Sequence, residues 1–342
     1  MSTFETVQLI STIDKYYVLY TSVILLCIGT IGNVLKFIIF AKIRSFRGNQ
    51  CAYYLKISSI TDTGVLVATL PFLVVDSVLG IKLVGLSPAW CKIQLMFIYT
   101  CGLYSIFTMC CIALDQYLST NHRQTWRQMS TIKLAQRLSC FNMSVAVFHG
   151  ILFLIFANYG VGGCSIYNPI AQVYFTYFYY PILSGILPII VSGTFSLLAY
   201  QNVRRIIRMQ IPVVRRRLDR QMTALALSRV LCIIVLGVPF LCYSLVDINS
   251  RNSLQDPAKQ AVLHLSATIV YSFMYLNYSI DFYMFLIISP RFRHQAKNFI
   301  IKKPWHQVTR VCNRGMVSPI NNQVIAPEND PGGGRASVLE SI

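Results

Sequence analysis

The sequence predicts an all-α membrane protein, a seven-transmembrane helix bundle followed by a short amphipathic eighth helix. Composition supports this fold class, since 55% of the 342 residues are hydrophobic and only 12% are charged. Each of seven apolar stretches is long enough to cross a bilayer, which takes about 20 apolar residues. The stretches lie at 16–41, 52–79, 90–118, 134–158, 170–200, 222–248 and 260–288.

The basic residues lie mostly on one side of these stretches. The formal net charge is +18, yet the N-terminus and the connections on its side hold few basic residues: Lys15, Lys82, Lys92, Arg251 and Lys259. Because Lys and Arg accumulate in cytoplasmic loops, residues 1–15 are expected to be a short extracellular N-terminus of a multi-pass plasma-membrane protein. The basic residues would contact membrane lipid, and nucleic acid is not an expected partner.

The transmembrane bundle is expected over residues 16–288. Its segments should be helical, because backbone polar groups in lipid must find partners within the segment. Prolines inside three of the stretches predict kinks, since proline lacks the backbone N–H that an α-helix uses. These prolines are Pro71 in the second stretch, Pro181 and Pro188 in the fifth, and Pro239 in the sixth.

The chain changes character after the seventh stretch. Ser289 and Pro290 end that helix, and residues 289–303 then set Phe292, Phe299 and Ile300 against basic residues. This pattern predicts an amphipathic helix on the inner membrane surface. Residues 304–342 are polar with Pro and Gly, which is typical of a disordered cytoplasmic tail.

Two of the eleven cysteines lie near outer connections rather than deep in an apolar stretch. They are Cys91, at the start of the third stretch, and Cys164, in the second outer connection. An extracellular position is oxidising, so the two thiols could pair. Such a pair would hold the second outer connection over the mouth of the bundle.

Two carboxylates fall inside the predicted spans, Asp62 in the second and Asp281 in the seventh. A buried charge in a span is costly and usually marks function. Asn33, Ser105 and Asn277 could lie at the same depth. Together these groups could bind a sodium ion at Asp62, or the two acids could share a proton. The alternative is a structural hydrogen-bonded cluster that holds no ion.

Three basic residues also fall inside the spans. Lys36 and Lys56 are expected to extend along their helices to the inner headgroups, as long basic side chains often do. Arg229 could pair with Asp115 or reach the cytoplasmic face.

The outer half of the bundle is rich in tyrosine. Some of these side chains are expected in the aromatic belt at the membrane interface. Others, lying deeper, predict an aromatic cavity with few polar groups, which is typical of a ligand site. An acidic residue near its rim, Asp247, would favour a cationic ligand. The candidate ligand-binding residues are Gln94, Ile98, Tyr99, Tyr177, Tyr180, Tyr243, Asp247, Tyr271 and Tyr275.

The sequence shows no catalytic arrangement. The five histidines are scattered, and there is no metal-ligand spacing, nucleophile elbow or phosphate loop. We therefore do not expect an enzyme.

Several short motifs follow one another at consistent spacing. They are Gly32-Asn33, Asp62, Cys91 with Cys164, Asp115-Gln116-Tyr117, Pro188, Pro239 and Asp281-Phe282-Tyr283-Met284-Phe285. In these positions the chain resembles the rhodopsin-like family of G protein-coupled receptors, over about residues 16–303. The resemblance implies a Cys91–Cys164 disulfide, an extracellular ligand bound among the helices, and a heterotrimeric G protein as cytoplasmic partner.

The resemblance assigns a coupling switch to Asp115, Gln116, Tyr117 and Asp219, but the family has Arg where this chain has Gln116. Gln116 and Asp219 could still form a hydrogen bond, weaker than one between two charges. Gly237 replaces the family's sixth-helix Trp, and Ser196 its fifth-helix Tyr. In the seventh helix, Phe282 and Phe285 replace the family's Pro and Tyr. These differences affect the activation relay and leave the fold expectation unchanged.

The resemblance also narrows the ligand. Ile98 stands where aminergic receptors have Asp, and Tyr275 where opsins have the retinal-binding Lys, so an amine or retinal is not expected. The chain instead resembles invertebrate neuropeptide receptors of the FMRFamide type. Two other readings are a receptor-shaped decoy or scaffold with weak G protein coupling, and a seven-helix transporter or channel.

Overall fold

The computed structural model describes residues 3–43, 46, 48–80, 85, 87–160, 163–208, 213–250 and 257–299. The chain divides into two compact units, residues 1–296 and 297–342. The first unit is a helical bundle with one small hairpin. Of the second, residues 297–299 are described, and they are helical.

The helices follow the order of the apolar stretches. The fifth span is built from three consecutive segments, and the seventh from two. The elements are α1 (Thr3–Lys42), α2 (Gln50–Leu79), α3 (Pro88–Thr120), α4 (Gln124–Met129), α5 (Ile132–Phe156), β1 (Ala157–Gly160), β2 (Gly163–Ile166), α6 (Pro169–Tyr174), a π-helix (Phe175–Ile186), α7 (Leu187–Arg208), α8 (Val213–Ser250), α9 (Pro257–Ser279), α10 (Asp281–Ile288) and α11 (Pro290–Lys297).

Within the described residues, six helices are long and apolar enough to cross a membrane. The seventh expected span, 260–288, is interrupted at Ile280, where α9 ends and α10 begins. Backbone bonding continues on both sides of this bend: the Ile280 N–H donates to Leu276 O and the Met284 N–H to Ile280 O, each at 3.0 Å. The six helices are Phe4–Lys42, Gln50–Leu79, Pro88–Thr120, Ile132–Phe156, Pro169–Arg205 and Thr223–Tyr243.

Short polar side chains cap the N-termini of several helices. The side chain of Asn49 accepts the Ala52 N–H at 3.0 Å, and that of Thr131 accepts the Leu134 N–H at 3.2 Å. Both satisfy backbone donors that the first helical turn leaves without partners. At the far end of α2, Gly80 adopts φ 67°, a left-handed conformation that glycine reaches without steric cost.

A hairpin covers one end of the bundle, called here the hairpin end. Strands β1 and β2 pair antiparallel, with Tyr159 opposite Cys164, and a disulfide joins Cys164 to Cys91 near the start of α3. The Gln172 side chain donates to Ile166 O at 2.7 Å, which ties β2 to α6. The disulfide predicted from the sequence is present, and the two strands are a feature that the sequence pattern did not reveal.

The outer faces of the helices remain apolar. On α5, for example, Phe141, Phe148, Ile151 and Ile155 are exposed. Lipid tails are as apolar as these side chains, so such faces suit a bilayer. The described helices therefore form a multi-pass membrane bundle.

The helix after the bundle differs from the expected surface helix. Ser289 Oγ accepts the Phe292 N–H at 3.1 Å, which helps to begin α11. Phe292 is fully buried, packing on Phe40 and Phe285, so the apolar side of α11 faces protein at this point. The expected continuation from Ile300 to residue 303 lies outside the described residues.

Candidate functional site

Four charged side chains meet in the interior of the bundle. Lys36 Nζ lies 3.1 Å from Asp62 Oδ2 and 2.9 Å from Asp281 Oδ2. Arg229 Nη2 lies 3.2 Å from Asp62 Oδ2, and Arg229 Nη1 pairs with Asp281 Oδ2. Each cation thus contacts both carboxylates. We refer to these four residues as the charge cluster.

The charge cluster joins α1, α2, α8 and α10, and its side chains are between 0% and 3% exposed. Burying an ion costs free energy unless an opposite charge and hydrogen bonds compensate it. Here two positive and two negative side chains balance. The arrangement therefore satisfies the buried acids with residues of the chain itself.

Two serines complete the cluster. Arg229 donates to Ser58 Oγ at 3.0 Å and to Ser105 Oγ at 3.3 Å. Ser105 in turn donates to Asp62 Oδ1, so α3 joins the four helices that carry the charges. Sequence reasoning placed Ser105 beside Asp62 and missed Ser58, which lies one helical turn before Asp62 on α2.

The expected positions of Lys36 and Arg229 were wrong. Lys36 is fully buried and does not extend to a headgroup region, because both carboxylates lie within its reach. Arg229 pairs with Asp62 and Asp281 rather than with Asp115. The Asp115 side chain instead accepts a hydrogen bond from Ser130 Oγ at 2.6 Å.

The two asparagines expected in the polar core lie beside it. The Asn33 side chain donates to Tyr278 O at 2.9 Å, which ties α1 to α9. Asn277 lines a small cavity next to Gly237, and in the described part of the chain its buried Oδ1 has no hydrogen-bond partner. The structure thus unites Asp62, Asp281 and Ser105 but not the amides.

A second site lies nearer the hairpin end. Two adjoining cavities, of about 270 and 300 Å³, share Leu95, Tyr99, Tyr180, Phe240 and Tyr271 in their linings. Residues of β2, including Ser165 and Ile166, line the outer one. Six of the predicted ligand-binding residues line one or both cavities: Ile98, Tyr99, Tyr180, Tyr243, Tyr271 and Tyr275.

Tyrosine hydroxyls and stacked rings hold this cavity in shape. The hydroxyls of Tyr99 and Tyr180 are 2.7 Å apart and share a hydrogen bond. The Tyr99 ring stacks on Phe153 with centroids 3.7 Å apart, and Tyr180 lies edge-on to Phe240. These contacts join α3, α5, the π-helix and α8 around one space.

Two predicted ligand-binding residues lie elsewhere. Gln94 is buried and donates to Ala68 O at 2.7 Å, so its amide bonds α2 and is not among the cavity-lining residues. Tyr177 is 58% exposed on the outside of the bundle. It lies three positions before Tyr180, a spacing that places two side chains on one face of an α-helix but not on one face of a π-helix, whose bonds run i→i+5. The Asp247 side chain lies outside the described residues.

At the opposite end of the bundle, a neutral contact links α3 to α8. Thr223 Oγ1 donates to Gln116 Oε1 at 3.1 Å, and both residues are buried. The Tyr117 ring packs against Phe195 and Trp126. The predicted partner of Gln116, Asp219, has a side chain outside the described residues. Thr223, which sequence reasoning missed, lies one helical turn beyond it.

Comparison with known proteins agrees with this geometry. A family model described as 7 transmembrane receptor (rhodopsin family) matches residues 32–281. That range contains both cavities, the charge cluster and the Gln116–Thr223 contact. No curated protein matches the chain. The matched range covers most of the chain, which therefore belongs to the rhodopsin family of seven-transmembrane receptors.

Proposed function

We propose that this protein is a plasma-membrane G protein-coupled receptor whose extracellular ligand is a neuropeptide. The single observation that carries this proposal is the aromatic cavity beneath the β1–β2 hairpin. The hairpin end would face outward, as the distribution of Lys and Arg predicts. A peptide could then enter beside the hairpin and insert one end among the helices.

The lining of the cavity favours an uncharged ligand segment. Among the described residues that line the two cavities, none is acidic, basic or histidine. Hydroxyls at Tyr99, Tyr180, Tyr243, Tyr271 and Tyr275 offer hydrogen bonds to amide groups, and their rings offer apolar contact. An amidated, aromatic peptide end of the FMRFamide type has this chemistry, whereas a free amine would find no described acid. Pockets of this size lie near the lower end of the usual range of about 300–1,000 Å³.

Helix α8 runs from the cavity to the Gln116–Thr223 contact, at the end of the bundle where a G protein would bind. Phe240 in α8 packs on Tyr180 and on Tyr271, and Arg229 and Thr223 lie further along the same helix. A ligand that prefers one arrangement of α8 shifts the population of the whole bundle toward that arrangement. The inner ends of α3, α7 and α8 would then part to admit a heterotrimeric G protein.

The test is a peptide-library screen on cells that express the full chain, with G protein dissociation as the readout. A hit should lose potency in Tyr271→Ala, which removes a ring from both cavities. The matched control is Tyr177→Ala, since Tyr177 lies on the outside and should leave potency unchanged. A hit that responds equally to both substitutions would contradict the proposed site.

A second candidate function is a receptor-shaped decoy or scaffold that binds ligand but couples weakly. The observation that favours it is Gln116, a neutral residue buried against Thr223 where related receptors carry Arg. Measuring both binding and G protein dissociation for one peptide distinguishes a signalling receptor from a decoy. Saturable binding without dissociation would support the decoy.

A further inference from the structure

From the sequence, the pair of intramembrane carboxylates could bind a sodium ion at Asp62, share a proton, or belong to a hydrogen-bonded cluster that holds no ion. We propose that the side chains of Lys36 and Arg229 occupy the position that a dissociable sodium ion would take. The chain itself then supplies the cations of this site, and no sodium ion binds there. This inference concerns the charge cluster and does not depend on the ligand or the G protein.

The first observation that supports this proposal is the charge balance of the cluster. Asp62 and Asp281 contribute two negative charges, and Lys36 and Arg229 contribute two positive charges within 3.2 Å of them. All four side chains are at most 3% exposed. A further sodium ion would leave the cluster with an uncompensated positive charge in a region where water cannot screen it.

The second observation is that the oxygen atoms of the cluster already have hydrogen-bond donors. Sodium, like other hard cations, needs several oxygen ligands with free lone pairs. Oδ2 of Asp62 and Oδ2 of Asp281 each accept from both Lys36 and Arg229, while Asp62 Oδ1 accepts from Ser105. The hydroxyl oxygens of Ser58 and Ser105 accept from Arg229. These oxygen atoms, which could otherwise bind sodium, therefore already accept from Lys36, Arg229 or the Ser105 hydroxyl.

The same geometry contains a latent sodium site. Replacing Lys36 and Arg229 with methionine would keep two flexible, unbranched side chains, remove both charges and free the space that the ammonium and guanidinium groups fill. Asp62 and Asp281, with the hydroxyls of Ser58 and Ser105, would then face one another without a cation. That arrangement should bind sodium, since the alternative is protonation of one buried acid.

The experiment measures thermal unfolding of the purified full-length protein without ligand, in sodium, potassium or choline chloride at equal concentration. For the wild type we expect the same midpoint in all three salts. For the Lys36→Met, Arg229→Met double variant we expect a lower midpoint in choline that rises by several degrees, saturably, with sodium. Adding Asp62→Asn to the double variant should abolish the rise.

Two results would overturn the proposal. One is a saturable, sodium-specific rise in the wild type that Asp62→Asn removes, because this would place a free ion at Asp62 beside the two basic residues. The other is a folded double variant that ignores sodium. Should the double variant fail to accumulate, the wild type and the charge-conserving Lys36→Arg variant still decide the matter: both are expected to be indifferent to sodium. Failure of a peptide screen would leave all these outcomes unaffected.

Discussion

Arg229 in α8 and Asp281 in α10 form an ion pair inside the bundle, at a depth where the flanking helices exclude solvent. The same guanidinium reaches Asp62 in α2. Apolar side chains slide past one another at little cost, but an ion pair in a low-dielectric interior has few equivalent positions. The contact therefore fixes α8 relative to its neighbours more specifically than packing alone.

Replacing Arg229 with methionine should destabilise the protein strongly. Lys36 alone would then face two carboxylates, and breaking a buried pair by removing one partner typically costs about 3–5 kcal/mol. The thermal unfolding midpoint of the purified protein measures this loss. Arg229→Lys keeps the charge and should lose less. Combining Arg229→Met with Asp281→Asn restores neutrality and should recover part of the loss. Equal stability of Arg229→Met and the wild type would contradict the assignment.

The hydroxyl contact between Tyr99 and Tyr180 should contribute measurably to stability. Tyr180→Phe removes one hydroxyl and should lower the free energy of unfolding by about 1 kcal/mol, the usual contribution of a buried hydrogen bond. Tyr177→Phe makes the same chemical change on an exposed ring three residues away. The unfolding midpoint should fall for the first variant only, and equal shifts in both would rule out the contact.

The disulfide between Cys91 and Cys164 should be required for a stable hairpin end. Cys91→Ser is expected to cost about 2–5 kcal/mol, since the bond restrains the unfolded chain. Cell-surface abundance and the unfolding midpoint should both fall. The double variant with Cys164→Ser should be no worse than either single variant. Cys27→Ser, at an exposed free cysteine, is the control and should resemble the wild type.

Two helical glycines should respond to alanine in opposite directions. A Cβ on Gly29 would lie 2.5 Å from Leu66 Cδ1 and 2.6 Å from Ser279 Oγ, so Gly29→Ala should cost about 1–3 kcal/mol. A Cβ on Gly237 would meet nothing within 4 Å. Gly237→Ala should therefore gain about 0.5–1 kcal/mol, because alanine favours helix more than glycine does. Unfolding midpoints decide both, and a loss at Gly237 would be the unexpected result.

Under the proposed receptor function, replacing Gln116 with arginine should raise G protein coupling. Gln116 holds α8 through a neutral hydrogen bond from Thr223, and a cation there would present the charge that related receptors use. Gln116→Arg should increase agonist-driven G protein dissociation at equal surface abundance. Gln116→Glu keeps an acceptor oxygen without the positive charge and should bring no increase. Unchanged coupling in the arginine variant would mean that Gln116 is not the limiting residue.

Length, hydropathy and charge bias were sufficient to predict the membrane bundle, because each is a local property of the chain. The Cys91–Cys164 disulfide followed from two outer positions and the family resemblance. The bend at Ile280 could not be predicted in this way, because residues 276–284 contain neither proline nor glycine, the residues that most often break a helix. The π-helix could not be predicted either, and its wider turn places Tyr177 and Tyr180 on different faces of the helix.

The charge cluster shows where reasoning from single residues fails. Asp62 and Asp281 were correctly singled out as buried acids, and their need for a cation was recognised. Lys36 was expected at the inner headgroups, because a long basic side chain judged alone is more stable there, and Arg229 was expected either to pair with Asp115 or to reach the cytoplasmic face. Lys36 contacts an acid 245 residues further along the chain, and only the assembled bundle brings the two together.

The order of the charge cluster along the chain bears on how the protein enters the membrane during synthesis. An isolated charged side chain at the centre of a span costs about 2.5–3.5 kcal/mol on insertion. Lys36 and Asp62 belong to the first two helices, so they can neutralise each other as soon as that pair leaves the translocon. Arg229 and Asp281 follow on adjacent late helices and can do the same. The order along the chain therefore allows the buried charges to enter the bilayer as two neutral helix pairs, and each cation would gain its second carboxylate when the bundle assembles.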